Sequence, residues 1–255
     1  MNLSMTGSLA DRFKSGSQKA GNVTEAWGAK NFYCPNCSSP KLDWLKPGTK
    51  ASDYKCPACG FWYQLKSKKS PIGRSIRDGA HAAMMEAIRE DRAPSYFFLH
   101  YDLATWNVRN LLLVPSFAFP PSAIIKCPPL SSTARRAGWV GCNFDLSRVP
   151  ADARISVVTE KTIVPPSEVR AQFRKVKPLK ELSVKERGWT LDVLNIVRRL
   201  GKQEFTNADV YAYERELEAL HPDNRNIKAK IRQKLQILRD ARLLIHVGTG
   251  LWRLP

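Results

Sequence analysis

No apolar run in this sequence approaches the roughly 18 residues that a membrane-spanning helix needs, because Pro115, Pro120 and Pro121 interrupt its most apolar region. The opening residues, MNLSMTGSLADRFKSGSQKAG, lack an apolar core followed by small residues for cleavage, so no secretory signal is expected. Internal repeats and low-complexity tracts are absent, which excludes a repeat architecture. No long coiled coil or other dimer seam appears, and a monomer is expected. Acidic residues are scarce too: 23 Asp+Glu stand against 41 Lys+Arg, a net charge of +18. That excess points to a polyanionic partner, and without an apolar span nucleic acid is favoured over membrane. A cytoplasmic location is expected, with the six cysteines reduced or on metal.

What is present divides in two. With 255 residues, 43% of them hydrophobic, the chain is long enough for two domains with separate cores. Up to about residue 165 it mixes signals. A polar helical segment over about 8–30 is followed by cysteine-bearing short strands over 31–66. GRSIRDGAHAAMMEAIRED (73–91) spaces Ile76, Ala80, Ala83, Met84 and Ala87 as one helix face. SYFFLHYD, NLLLVP and RISVVTE are strand patterns, giving a mixed α/β domain. Pro165 to Lys185 is a basic linker or peripheral helix. The last 68 residues hold three helical patterns, the second capped by Thr206 and Asp209, then two short strands around Gly248-Thr249-Gly250. That order describes a winged helix, with domains over 1–182 and 183–255.

Cys34-Pro-Asn-Cys37 and Cys56-Pro-Ala-Cys59 are two Cys-x2-Cys knuckles eighteen residues apart, the spacing of a four-thiolate zinc site. A redox pair would explain one knuckle at a time. Four thiolates leave no open coordination position, so such a zinc folds the hairpin and does no chemistry. Cys127 and Cys142 are expected to be small buried residues.

Within DYKCPACGFWYQLKSKK (53–69), strand alternation puts Gln64 and Lys66 on one face and Tyr63 and Leu65 on the other. Asp53, eleven residues before Gln64, reaches the same place if the second knuckle forms the turn. An acid, a neutral oxygen ligand and a lysine then converge, which suits phosphodiester hydrolysis assisted by Mg²⁺. The bland alternative is a solvated basic face.

These residues resemble the DpnI-type methyl-directed restriction endonucleases, which join a PD-(D/E)xK nuclease domain to a C-terminal winged helix. The resemblance is carried by YCPNC, the spacing from Asp53 to QLKSKK, PLSSTARRAGWVGCNFDLSRVP at 129–150, GWT at 188, and IKAKIRQKLQILRD at 227–240. It implies that Asp53 and Lys66 are catalytic and that Cys34, Cys37, Cys56 and Cys59 hold structural Zn²⁺. Catalytic Mg²⁺ (or Mn²⁺) would be held by Asp53, Gln64 and the backbone carbonyl of Leu65, with Glu25 a further candidate carboxylate. Gln64 departs from the family's glutamate and supplies a neutral oxygen in place of a second charge. The implied substrate is double-stranded DNA carrying N6-methyladenine in a GATC-like site. Trp139 resembles the aromatic reader of the methyl group, with Arg135 and Arg136 beside it for phosphates or guanine edges; on chemistry alone Trp139 is a core tryptophan.

On the third helix of the winged region, Ile227, Ile231, Leu235 and Leu238 form an apolar stripe. Arg225, Lys228, Arg232, Gln236 and Arg239 form a basic one about a quarter-turn away. The helix start, Asn224, Arg225 and Asn226, is suited to base edges, since Asn pairs with adenine and Arg with guanine. A solvated basic face or a protein partner is the competing account. Two other functions fit the residues: a methyl-adenine DNA-binding protein impaired in catalysis at Gln64, and a zinc-containing winged-helix transcription regulator.

Overall fold

The structure is a computed structural model that describes residues 1–45 and 52–255. In chain order the elements are α1 (Gly16–Asn31), β1 (Asp43–Trp44), β2 (Tyr54–Lys55), β3 (Trp62–Lys68), β4 (Ser75–Ala80), α2 (His81–Arg89), β5 (Ser95–Asp102) and β6 (Asn107–Val114). Then come β7 (Ile124–Pro129), β8 (Val140–Asp145), β9 (Ile155–Thr159), β10 (Thr162–Ile163), α3 (Pro166–Val176) and α4 (Val184–Arg199). The chain ends with β11 (Glu204–Thr206), α5 (Asn207–Tyr211), α6 (Glu214–Leu220), α7 (Ile227–Asp240), β12 (Ile245–Gly248) and β13 (Leu251–Arg253). Two compact units interleave along it. One comprises Met1–Gly73, Ala93–Ser116 and Arg154–Arg174; the other Arg74–Arg92, Phe117–Ala153 and Lys175–Pro255.

The first unit is built on a mixed sheet of order β1-β2-β3-β5-β6-β9-β10, in which β3 and β5 run parallel. Strand β5 is buried along almost its whole length, which is why SYFFLHYD shows no polar alternation. Its Phe97 stacks on Phe32 at 4.2 Å and on Tyr63 at 5.5 Å. Helix α1 starts where the Ser15 hydroxyl accepts the Gln18 backbone N–H at 3.2 Å. It packs close to the hairpin at Gly28, where any Cβ would collide with the Tyr54 hydroxyl. That hydroxyl donates to the Glu25 carbonyl at 2.8 Å.

The second unit contains an antiparallel sheet of order β4-β8-β7 and a C-terminal helical domain whose small sheet has the order β11-β13-β12. The helix expected over 73–91 is half strand. Residues Ser75–Ala80 pair with β8, Ile76 facing Phe144 and buried, and α2 begins only at His81. The spacing of Ile76 and Ala80 fits a helix, but Asp78 and Gly79 are poor helix formers and a sheet partner seventy residues away decides the outcome. The segment 165–185 contains α3, whose Val169, Phe173 and Val176 are fully buried, so it is a packed helix. In the C-terminal domain Ile227, Ile231, Leu235 and Leu238 are buried as their spacing predicts. The Thr206–Asp209 capping box forms on α5, and the second helical pattern breaks into α5 and α6 near Tyr213.

Candidate active site and metal centre

Among the described residues, Cys34, Cys37, Cys56 and Cys59 bring their four sulfurs within 4.8 Å of one another. Cys34 and Cys59 approach to 3.5 Å and Cys37 and Cys56 to 3.6 Å. Four Zn–S bonds of about 2.3 Å at tetrahedral angles would separate sulfurs by roughly 3.8 Å. The cluster therefore fits a structural metal such as zinc. Backbone amides aim at the sulfurs, Ser39 N–H at Cys37 and Cys59 N–H at Cys56, each at 3.5 Å. Burial pushes the Cys34 and Cys37 thiols up, whereas at Cys56 the N–H groups of Cys59 and Ala58 and the neighbouring cysteines outweigh burial and bring the thiol down to about 7. A thiolate is the form that binds metal.

Sequence reasoning missed the residue that braces this centre. From α3, the Arg170 Nε donates to the Cys34 carbonyl at 3.1 Å and the Cys37 carbonyl at 2.8 Å, while its Nη2 reaches the Ser39 carbonyl at 3.2 Å. The guanidinium also lies 5.1 Å over the Tyr33 ring. No local signal marks Arg170, because its partners precede it by more than 130 residues.

The second knuckle turns the chain from β2 into β3. Cys56 N–H donates to Phe61 at 2.8 Å and Gly60 N–H to Cys56 at 3.0 Å, and Gly60 takes the left-handed φ of +73° that the tight turn requires. Asp53 thereby lies against β3: its N–H donates to the Tyr63 carbonyl at 2.9 Å, and its Oδ2 accepts the Leu65 N–H at 2.7 Å. In β3, Tyr63 and Leu65 are buried while Gln64 and Lys66 are half-exposed, as alternation demands. The hairpin thus brings together Asp53, Leu65 and Lys66, with Gln64 on the Lys66 face.

Burial raises the Asp53 carboxyl, opposed by the Leu65 N–H and the Lys66 ammonium. Glu25 of α1 joins the group. Its carboxyl is raised by burial and then by the charge of Asp53, while the Trp44 side chain hydrogen-bonds to it and pulls the other way. Two half-buried carboxyls, one raised by the other's charge, form a negative site whose mutual repulsion a divalent cation would relieve.

In the second unit, Trp139 immediately precedes β8. Its ring lies over Gly141, where a Cβ would come within 2.8 Å of it, and the Arg136 guanidinium caps it at 4.6 Å. Trp139 is half-buried, and Arg135 and Arg136 are exposed. At the start of α7, the Asn226 N–H donates to Asn224 Oδ1 at 2.9 Å and Arg225 is exposed. Lys228 pairs with Glu214 at 3.4 Å, Arg232 donates to the Tyr211 hydroxyl at 2.9 Å, and Arg239 pairs with Asp240 at 2.9 Å. The basic stripe is therefore exposed yet partly tethered at its own surface.

A family model described as DpnI, Dam-replacing family, matches residues 1–182, and one described as DpnI_C, Dam-replacing HTH domain, matches residues 185–254.

Proposed function

The chain belongs to the DpnI, Dam-replacing family, and from that premise we propose that it is a methylation-dependent type II restriction endonuclease cutting double-stranded DNA at a short, GATC-like site containing N6-methyladenine. On this reading residues 1–182 form a PD-(D/E)xK nuclease domain and residues 183–255 a winged helix that binds DNA. The observation that carries it is the convergence of Asp53, Glu25 and Lys66 at the middle of β3, with Asp53 anchored by the Leu65 N–H.

Asp53, Gln64 and the Leu65 carbonyl would hold Mg²⁺, and Glu25 supplies the second negative charge that glutamine lacks. An ion held there would polarise the scissile phosphate and lower the pKa of the attacking water. Asp53 is held in place by its backbone contact, so its carboxylate is oriented before substrate arrives. Lys66 offsets the buried charge of Asp53 and is placed to orient the attacking water or take its proton. Trp139 is the methyl reader, its apolar ring gaining contact from a methyl in the major groove, with Arg135 and Arg136 on adjacent phosphates or guanine edges. Asn224, Arg225 and Asn226 contact base edges, and Lys228, Arg232 and Arg239 release their surface partners to phosphates.

Gln64 favours a second reading, a methyl-adenine DNA-binding protein with weakened catalysis. Digestion of matched methylated and unmethylated duplexes decides between them. Cutting of methylated DNA with Mg²⁺ supports the nuclease; selective binding without cutting under Mg²⁺ or Mn²⁺ supports the reader.

A further inference from the structure

We propose that Trp62 and Lys55 form a platform for the sugar–phosphate of the nucleotide adjoining the scissile phosphate. The proposal rests on the nuclease reading above. Trp62 keeps 42% of its surface exposed at the start of β3, whereas Tyr54, Tyr63, Tyr96 and Phe97 of the same sheet are buried. The register sets Lys55 of β2 directly opposite Trp62, and opposed residues of an antiparallel pair share a face. The Lys55 Nζ lies 4.7 Å from the centroid of the Trp62 ring. Because β3 shows no bulge against β2 or β5, alternation carries the same face from Trp62 through Gln64 to Lys66 and Lys68.

Two strand residues rise roughly 7 Å. A polynucleotide whose scissile phosphate lies at Gln64 and Lys66 therefore presents its neighbouring nucleotide at Trp62. An indole there offers a flat apolar face to deoxyribose carbons, and the ammonium beside it offers one charge to the next phosphate. Such a contact fixes the register of the cut strand and does not distinguish bases. Trp62 and Lys55 are positioning residues for the reaction, acting on methylated and unmethylated DNA alike.

The test is binding of a GATC-containing duplex, methylated or unmethylated, without added magnesium, followed by fluorescence anisotropy across a salt series. The proteins are the full chain, Trp62→Ala, Trp62→Phe and Lys55→Gln, each with its zinc content measured to show that the hairpin is folded. Trp62→Ala is expected to weaken binding about tenfold on both duplexes, with Trp62→Phe retaining most of the affinity. Lys55→Gln is expected to make the negative slope of log K against log salt shallower by about 0.9. Wild-type affinity and slope in both variants would overturn the platform and leave the nuclease reading intact. A loss confined to methylated DNA would also overturn it, because Trp62 would then be reading a base. Failure of the wild type to bind any duplex would remove the nuclease reading and the platform with it.

Discussion

Replacing Arg170 with alanine removes a fork that clamps the first cysteine knuckle through the carbonyls of Cys34, Cys37 and Ser39. A hydrogen bond from a charged donor contributes about 1.5–3 kcal/mol. The guanidinium is half-exposed and its Nε serves two carbonyls, so the three contacts do not add fully, and the loss is roughly 2–4 kcal/mol. At roughly 3 °C per kcal/mol for a protein of this size, the melting temperature should fall by roughly 6–12 °C. The same variant should release zinc faster to a chromophoric chelator, since loop 34–39 loses the contact that holds it against α3. Arg170→Lys keeps the charge without the planar fork and should fall between the two. Differential scanning fluorimetry and the chelator assay read both quantities. A melting temperature within 1 °C of wild type and an unchanged release rate would refute the clamp.

Two further predictions concern the C-terminal domain. Lys234 is fully buried on α7 and pairs with the half-exposed Glu186 at 3.3 Å; burial lowers its pKa and Glu186 partly restores it. Lys234→Met should therefore leave the urea midpoint unchanged or raise it, whereas Glu186→Gln, which strands a buried ammonium, should cost roughly 1–3 kcal/mol, less than for a fully buried pair because Glu186 is half-exposed; the opposite order would refute the pairing. The Asp209 carboxyl is held down at about 2 from an ordinary 3.8, first by the Lys202 ammonium and then by the Thr206 backbone N–H. A depressed carboxylate contributes stability above its ordinary pKa that is lost as pH falls through the folded value. The stability gap between wild type and Asp209→Asn should thus be full at pH 6 and narrow as pH drops from about 4 toward 2, and a gap that widens on acidification would contradict it.

The features legible in the sequence are those that depend on short spacings. The two Cys-x2-Cys knuckles, the alternation of Tyr63, Gln64, Leu65 and Lys66, the apolar stripe of α7 and the Thr206–Asp209 capping box all concern residues within one turn, one strand or one hairpin. The features that escaped depend on distant partners. Ile76 shows helical spacing until Phe144 pairs with it across a sheet. Arg170 in a basic stretch looks solvated until the carbonyls of the first cysteine knuckle receive it. Lys234 sits among the apolar positions of α7 although its charge argues for the surface, and the pairing with Glu186 offsets the cost of that burial. At the candidate site, Asp53 and Lys66 were visible from spacing. Glu25 is a further candidate carboxylate, but its electrostatic tie to Asp53 was not legible, because it requires α1 to pack on the hairpin at Gly28.

Methyl-directed cleavage is tested most directly by single-turnover digestion of a GATC duplex, adenine-methylated or unmethylated, with Mg²⁺, by wild type, Lys66→Ala and Gln64→Glu. Cutting of the methylated duplex alone is expected, with its loss in Lys66→Ala and a faster rate in Gln64→Glu, where a second carboxylate joins the strand. Cutting that ignores methylation, or that survives Lys66→Ala, would refute the proposed nuclease.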